Sequence, residues 1–109
     1  LKVILENAFL TDEEKVKACQ ICERAGGDFT KTSTGYAPSG STLEDLKLMR
    51  ANTKPEMQVK AAGGIRTLDD TLAVMATGTV RVGTRSTEAI LKEAVEREKE
   101  GTLVIPENV

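Results

Sequence analysis

Short strand-like runs alternate with longer helical stripes along the whole chain. The strand-like runs lie at residues 1–5, 28–32, 57–61 and 79–82, and each is followed by a polar or glycine-containing turn. The segments between them repeat apolar residues at helical spacing, as in Leu43, Leu46 and Met49. The resulting order, βαβαβαβα, predicts four similar βα units and a parallel sheet.

Local signals mark the helix boundaries. Thr11-Asp12-Glu13-Glu14 and Ser41-Thr42-Leu43-Glu44 have the capping-box pattern, and Thr67 and Ser86 precede the third and fourth helices. Glycines at 26–27 end the first helix, as expected where a left-handed residue closes a helix. The apolar stripes comprise Val16, Cys19, Ile21, Cys22 and Ala25, then Leu43, Leu46, Leu48 and Met49, then Leu68, Leu72, Met75 and Ala76, then Ile90, Leu91, Ala94 and Val95.

Four βα units do not close a barrel. They amount to half of a TIM (β/α)₈ barrel, which typically takes about 250 residues. We therefore expect one half-barrel domain over residues 1–100 and a tail at 101–109 that is extended or disordered. The chain begins at Leu1, inside a strand-like run, which suggests an internal fragment or a processed piece.

Each strand carries a polar or charged residue on one face. Phe29, Lys31 and Ser33 share a face of the second strand, and Gln58 and Lys60 share a face of the third. In a barrel this face points toward a polar interior or mouth. In an open sheet it is simply the solvent-facing side, and the alternation alone favours neither.

Lys31 and Lys60 are the candidate catalytic residues. A lysine attacks a carbonyl only as the free amine, and its ordinary pKa of about 10.4 leaves little of that form at neutral pH. Burial and a neighbouring cation both lower a lysine pKa. If the two lysines face the same way on adjacent strands, one can be the nucleophile. The positive charge of the other then lowers the pKa of that nucleophile. The alternative is two lysines at a solvated strand end.

Glycines follow the third and fourth strands at 63–64 and 83. In barrel numbering these are the seventh and eighth strands, whose loops often bind phosphate through backbone N–H groups and a helix N-terminus. Nearby side chains that are able to donate to an anion are Arg66, Thr84, Arg85 and Ser86.

Composition excludes several classes of function. The 109 residues are 39% hydrophobic and 29% charged with a net charge of −2, so we expect a soluble protein that does not bind nucleic acid. No apolar run approaches the roughly 20 residues of a membrane span. The absence of histidine excludes His-based catalysis and His metal ligation, and we expect no metal site. Cys19 and Cys22 lie in mid-helix and are interpreted as structural, reduced thiols, which indicates a cytoplasmic location.

Five stretches together resemble deoxyribose-phosphate aldolase, a class I aldolase family with a TIM-barrel fold. They are LKVILE, DFTKTSTGY, LEDLKLMR, VKAAGGIRTLDD and RVGT. The resemblance extends from residue 1 to about 92 and is to the C-terminal half of the family, from its fifth strand onward. KTSTG and K-x-x-GGIR in this order and spacing are more specific than either motif alone.

The resemblance implies specific roles. Lys31 is then the Schiff-base lysine, and Lys60 is the second active-site lysine that keeps Lys31 deprotonated. The substrate phosphate is bound at Gly35, Gly63, Gly64, Gly83 and Ser86. The implied reaction is reversible cleavage of 2-deoxy-D-ribose 5-phosphate to D-glyceraldehyde 3-phosphate and acetaldehyde. It uses no metal and no organic cofactor, only a covalent imine on Lys31.

The sequence also departs from the family. Arg85 stands where the family usually has a small residue, commonly Ser, and Thr30 replaces a usual Val or Ile on the helix-facing side. The first four strands, with an aspartate of the family's proton relay, have no counterpart here. Two other interpretations therefore stay open. One is a non-catalytic half-barrel that self-associates through exposed strand edges or needs a missing N-terminal half, and the other is a phosphate-binding module without chemistry.

Overall fold

The computed structural model describes residues 1–106, and within them four βα units follow one another. The strands β1 to β4 span Lys2–Ile4, Phe29–Lys31, Gln58–Ala62 and Arg81–Gly83. The helices α1 to α4 span Asp12–Arg24, Leu43–Ala51, Leu68–Met75 and Thr87–Glu100, and a short 3₁₀ helix lies at Asn7–Phe9. The strands form one parallel sheet in the order β1-β2-β3-β4, which confirms the predicted topology.

The sheet has two different faces. Thr30 pairs in register with Val3 and Val59, and this side, which we call the helix-covered face, packs against the helices. Lys31 pairs with Lys60, and Lys60 pairs with Arg81 on the opposite side, which we call the lysine face. The predicted alternation is therefore confirmed by the strand pairing.

The apolar core lies between the helix-covered face and the helices. Leu46 and Met49 of α2 contact this core with no exposed surface, as do Val59 and Ala61 of β3 and Cys19 of α1. Such complete burial, at roughly 25 cal/mol for each Å² of apolar surface, is the main contribution that stabilises a domain of this size. Because the core is aliphatic, it depends on close packing of small and medium side chains.

The predicted helical stripes are wider than the stripes that are buried. A helix lying on a sheet contacts it along a narrow strip, so residues at the margin of an apolar stripe stay in solvent. Four large residues of the predicted stripes are exposed for this reason: Ile21 (52%), Leu43 (42%), Leu91 (59%) and Val95 (49%).

Three helices begin with a threonine cap. The side chains of Thr11, Thr42 and Thr67 each accept a hydrogen bond from the backbone N–H three residues later. The prediction of Ser41 as the second cap is wrong by one residue, because Ser41 bonds elsewhere. Helix α4 differs, since the side chain of its N-cap residue, Ser86, makes no capping hydrogen bond.

The fourth helix extends through the whole charged stretch that follows its apolar residues. Helix α4 continues to Glu100 and closes at Gly101 with φ 73°. Leu103 then packs against the core. The predicted tail at 101–109 is described to Pro106, and residues 107–109 lie outside the described part. None of the helices in residues 1–106 is long and apolar enough to cross a membrane.

A candidate active site at the carboxyl ends of the strands

A cavity of about 490 Å³ opens where the parallel strands β2, β3 and β4 end. The exit of β2 contributes Lys31, Thr34 and Gly35, and the exits of β3 and β4 contribute residues 62–66 and 83–86. Loops at this edge of a parallel sheet are the usual place for ligand sites in α/β folds.

Six of the seven predicted site residues line this one cavity. They are Lys31, Gly35, Gly63, Gly64, Gly83 and Ser86. Lys60 lies beside it on the lysine face, in register with Lys31. The structure thus brings together residues that are up to 55 positions apart in sequence, from 31 to 86, while their individual roles stay predictions.

The two lysines extend from adjacent strands toward the same side of the sheet. Neighbouring strands lie about 4.8 Å apart, so their ammonium groups share one electrostatic environment. The pKa of Lys60 is lowered from its ordinary value, first by burial and then by the positive charges of Lys31, Lys2 and Arg81. In the described residues neither Lys31 nor Lys60 forms an ion pair with a carboxylate. The lysine face is therefore a cluster of cations without acidic partners.

Gly83 leaves space for the second lysine. A Cβ atom at Gly83 would lie 3.6 Å from Lys60 Cε and 3.4 Å from the Cβ of Ala62. The Lys60 stem therefore passes close over the backbone of β4 at the edge of the cavity. Both distances are ordinary van der Waals contacts, so the stem of Lys60 packs beside the backbone at Gly83.

The loop after β3 depends on a close backbone contact. A Cβ atom at Gly63, which has φ +91°, would lie 2.8 Å from the Cα of Gly40. Ser41 fixes the contact, since its N–H and its hydroxyl both donate to the carbonyl of Gly63, at 3.2 and 2.8 Å. This tertiary bond explains why Ser41 is not the cap of α2.

Only part of the KTSTG motif faces the cavity. Thr32 and Ser33 are buried, and both hydroxyls donate to the carbonyl of Ala62, at 3.2 and 2.9 Å. The Thr32 hydroxyl also accepts from the N–H of Ala62 at 3.1 Å. These two residues join β2 to β3, whereas Thr34 and Gly35 line the cavity.

Sequence reasoning missed Glu6, which lies just after β1. Its carboxylate accepts hydrogen bonds from the N–H of Thr34 at 3.1 Å and from the Thr34 hydroxyl at 2.5 Å. The contact joins the exit of β1 to the exit of β2 across 28 residues. No local sequence signal predicts this contact. A carboxylate directly after a strand, at the carboxyl ends of the sheet, is nevertheless a general indication of a residue near the site.

The exits of β3 and β4 are also joined by side-chain bonds. The Thr84 hydroxyl donates to the carbonyl of Ile65 at 2.6 Å and accepts from the N–H of Ser86 at 3.0 Å. Thr84 therefore positions the start of α4 relative to the loop after β3.

The cavity favours an anion. Within residues 1–106, its lining includes the cationic residues Lys31, Arg66 and Arg85 and no aspartate or glutamate. The N-terminus of α4 also opens at Ser86, where no side chain caps it. A helix N-terminus carries partial positive charge and unpaired N–H donors. These features add to one another, because they all attract negative charge.

The environment of the two cysteines makes them unreactive. Both are free and buried within α1, and burial, with a smaller contribution from the charge of Cys22, raises the pKa of Cys19 to about 11. A thiol held in its neutral form is a poor nucleophile and a poor metal ligand. The structural interpretation of the C-x-x-C pair is supported. No group of three or more His, Cys, Asp or Glu residues in the described chain is placed to hold a metal ion.

Two similar curated sequences carry the same name. The deoxyribose-phosphate aldolase of Streptococcus sanguinis (strain SK36) is 54% identical over 92 residues, which are 84% of this chain and 42% of that protein. The deoxyribose-phosphate aldolase of Thermococcus gammatolerans is 52% identical over 94 residues, 86% of this chain and 42% of that protein. The chain thus spans about two fifths of the length of these curated relatives. No model of a known protein family matches it.

Solved structures give the same result for the fold. A protein described as "QR15, an Aldolase" aligns over 91% of this chain and 45% of its own, with TM-score 0.86 and 44% identity. The deoxyribose phosphate aldolase of Aeropyrum pernix, described as having a unique tetrameric structure, aligns over 84% of this chain and 40% of its own, with TM-score 0.77 and 34% identity. DHODH from Eimeria tenella aligns with TM-score 0.72 at 20% identity, a likeness of fold alone.

The four βα units of this chain therefore form half of a TIM-type barrel, as the sequence pattern predicts. By sequence and by fold, the chain belongs to the deoxyribose-phosphate aldolase family and corresponds to the C-terminal half of its members.

Proposed function

We propose that this chain carries the Schiff-base lysine and the phosphate site of an aldolase that reversibly cleaves 2-deoxy-D-ribose 5-phosphate to D-glyceraldehyde 3-phosphate and acetaldehyde. The observation that carries the proposal is the pairing of Lys31 with Lys60 in register at the edge of the anion-favouring cavity. The names of the relatives support the reaction, and the geometry of the cavity supports the chemistry.

The proposed reaction runs through an imine. The neutral amine of Lys31 attacks the aldehyde carbon of the open-chain sugar, and loss of water gives the imine. As the bond between sugar carbons 2 and 3 breaks, its electron pair passes into the imine and leaves an enamine, while the hydroxyl on carbon 3 loses its proton and becomes the new aldehyde. Protonation of the enamine and hydrolysis then release acetaldehyde and restore the lysine. No metal or organic cofactor takes part in this scheme.

Lys60 acts in this proposal through its charge. An ammonium group on one lysine disfavours a second positive charge on its neighbour, so the pair holds less charge than two isolated lysines. A site with one charged and one neutral lysine contains both an acid and a nucleophile. The lowered pKa of Lys60, caused first by burial and then by Lys31, Lys2 and Arg81, is an instance of this repulsion and limits the total charge that the lysine face holds.

The phosphate group is proposed to bind along the glycine-containing loops that line the cavity. Gly35, Gly63 and Gly64 have positive φ angles, so their loops present backbone in conformations that other residues rarely adopt. Gly83 and Ser86 adjoin the uncapped start of α4, where N–H donors and partial positive charge favour an anion. Arg66 and Arg85 add side-chain charge to the same cavity.

A second candidate function, a non-catalytic half-barrel that associates with another chain, is favoured by the open lysine face. Ile4 on that face is 44% exposed, and β1 and β4 each have one unpaired edge within the described residues. Sizing in solution tests it, because a single species near 11.7 kDa would count against obligate association. For the aldolase proposal, the same open face means that the remaining barrel half or a second copy completes the site.

The test of the proposed reaction is reduction with borohydride in the presence of 2-deoxyribose 5-phosphate, followed by intact and peptide mass spectrometry. We expect one adduct, on Lys31. The variant Lys31→Ala should give none, while Lys47→Ala, which removes an exposed lysine of α2, should react like the parent chain.

The outcomes separate the candidates. No adduct in a chain shown to be folded would overturn imine formation by this half alone, and an adduct that appears only on mixing with the remaining half would assign the activity to the assembled barrel. A chain that binds the phosphorylated sugar equally well with and without Lys31, and never forms an imine, would be a binding module instead.

A further inference from the structure

Glu6 has an unusual backbone conformation for its residue type. Its φ and ψ angles are 56° and 63°, and within residues 1–106 it is the one residue other than glycine with positive φ. A side chain with a Cβ atom is disfavoured in this left-handed region. Residues keep such conformations where the surrounding contacts impose them, and these positions cluster at functional sites.

The surrounding contacts of Glu6 are specific. The backbone on either side of it is tied to β2 and its exit, since the N–H of Leu5 donates to the carbonyl of Lys31 and the N–H of Asn7 to that of Thr32, both at 2.9 Å. Between these two bonds the chain turns, and the Glu6 carboxylate reaches Thr34.

Both oxygens of this carboxylate are used on the loop after β2. One accepts from the Thr34 N–H at 3.1 Å, and the other from the Thr34 hydroxyl at 2.5 Å. The same hydroxyl accepts from the N–H of Tyr36 at 3.3 Å, so the bonds bracket Gly35, whose φ is +97°. Hydrogen bonds to a charged carboxylate are among the stronger ones in proteins.

We infer that Glu6 is a positioning residue, which holds Thr34 and Gly35 in place as the β2 wall of the cavity so that this wall can receive the substrate phosphate. The inference rests on the proposed function, because it deepens the phosphate site described there. The carboxylate is occupied by Thr34 and is not part of the cavity lining.

The experiment is an amide NMR titration of the ¹⁵N-labelled chain with inorganic phosphate and then with 2-deoxyribose 5-phosphate. In the parent chain we expect the amides of Gly35, Gly63, Gly64 and Gly83 to shift together. The decisive variant is Glu6→Gly, because it removes the carboxylate while glycine adopts positive φ without strain. We expect the response of Gly35 to fall and the Kd for phosphate to rise about three- to tenfold, while Gly63, Gly64 and Gly83 still respond.

Four further variants test the inference more closely. Glu6→Gln keeps one acceptor oxygen without the charge, so we expect an intermediate Kd. Thr34→Ser retains the hydroxyl and should behave like the parent, whereas Thr34→Val should resemble Glu6→Gly in part. Glu44→Gln removes the same charge from the exposed first turn of α2 and should change nothing.

Each outcome decides between alternatives. An unchanged Gly35 response in Glu6→Gly overturns the role of Glu6 alone. A uniform loss at all four glycines, with a lower midpoint of thermal unfolding, overturns it too, because Glu6 would then serve only the fold. No response in the parent chain overturns the proposed phosphate site and this inference together, even if an imine still forms on Lys31.

Discussion

The two faces of the sheet differ in role, since residues on one face stabilise the fold and residues on the other form part of the candidate active site. On the helix-covered face, Thr30, Val59 and Ala61 have no exposed surface and contact the helices or the core. On the lysine face, Lys31 and Lys60 alternate with these residues along the same two strands and are partly exposed. Because side chains of a strand alternate between faces, a strand of three to five residues serves both purposes.

Substitutions on the two faces should change different properties of the protein. A buried apolar residue contributes through the area it removes from water, so its loss weakens the whole fold. A charged residue on an open face contributes little to stability and can even reduce it when its neighbours carry the same sign. The comparison therefore predicts that stability and reactivity change separately when one face or the other is altered.

The largest effect is expected under the helix-covered face. Leu46 of α2 is completely buried in the core beside Val59. The variant Leu46→Ala should lower the free energy of unfolding by about 3 kcal/mol in urea denaturation, because it removes buried methyl groups and leaves a cavity. The matched variant Leu91→Ala alters a residue of α4 that is 59% exposed and should cost less than about 0.5 kcal/mol. Equal losses in the two variants would contradict the placement of the core.

The next largest effect is expected on the lysine face. Lys60→Met removes the ammonium group that the proposed mechanism places beside the nucleophile. Imine formation, followed by borohydride trapping at several times, should slow by about tenfold or more at neutral pH. The rate in Lys47→Ala provides the control. An unchanged rate in Lys60→Met would remove the second lysine from the mechanism.

The same variant should not weaken the fold. The pKa of folded Lys60 is lowered, first by burial and then by Lys31, Lys2 and Arg81, so the unfolded chain binds more protons between the folded and unfolded pKa values. The stability contributed by this group therefore rises with pH through that window, and its charged form is unfavourable below it. Lys60→Met should raise the unfolding midpoint slightly at pH 7, and the gain should shrink as pH approaches the ordinary lysine pKa.

The sequence predicted features that local rules control. The caps at Thr11 and Thr67 and the alternation that places Lys31 and Lys60 on one face are confirmed, because capping and strand periodicity involve only near neighbours. The cap at Ser41 was wrong because this serine takes part in a bond with the loop after β3, 22 residues away. A local capping pattern can be overridden by such a tertiary hydrogen bond, and the local sequence does not indicate where the tertiary bond will form.

The least predictable part of the site is Glu6. Its role depends on a positive φ, for which glutamate is an unusual residue, and on a partner, Thr34, that lies 28 residues away. Both facts follow from the way that β1 and β2 pair in register, so they become visible only when the sheet is assembled. The glycines of the cavity were predictable because glycine is itself a signal of unusual backbone.

A smaller effect is expected from the arginine at the start of α4. Arg85 lines the cavity, so Arg85→Ser should raise the Kd for inorganic phosphate about three- to tenfold, with a weaker dependence on salt. Arg24→Ser removes the same charge from the last turn of α1, which is at the opposite edge of the sheet, and should leave binding unchanged. Tighter binding in Arg85→Ser would instead mean that the arginine crowds the anion.

The smallest effect is expected from a buried threonine of the helix-covered face. The Thr30 hydroxyl is buried and has no hydrogen-bond partner among the described residues, and its neighbours in register are Val3 and Val59. Thr30→Val keeps the shape and removes an unpaired polar atom, so it should raise the free energy of unfolding by about 1 kcal/mol. Thr32→Val is the matched control. The Thr32 hydroxyl bonds to both the N–H and the carbonyl of Ala62, so its loss should destabilise the fold. If both variants changed stability in the same direction, hydrogen bonding would not distinguish these two threonines, and the helix-covered face would tolerate a buried hydroxyl wherever it fits.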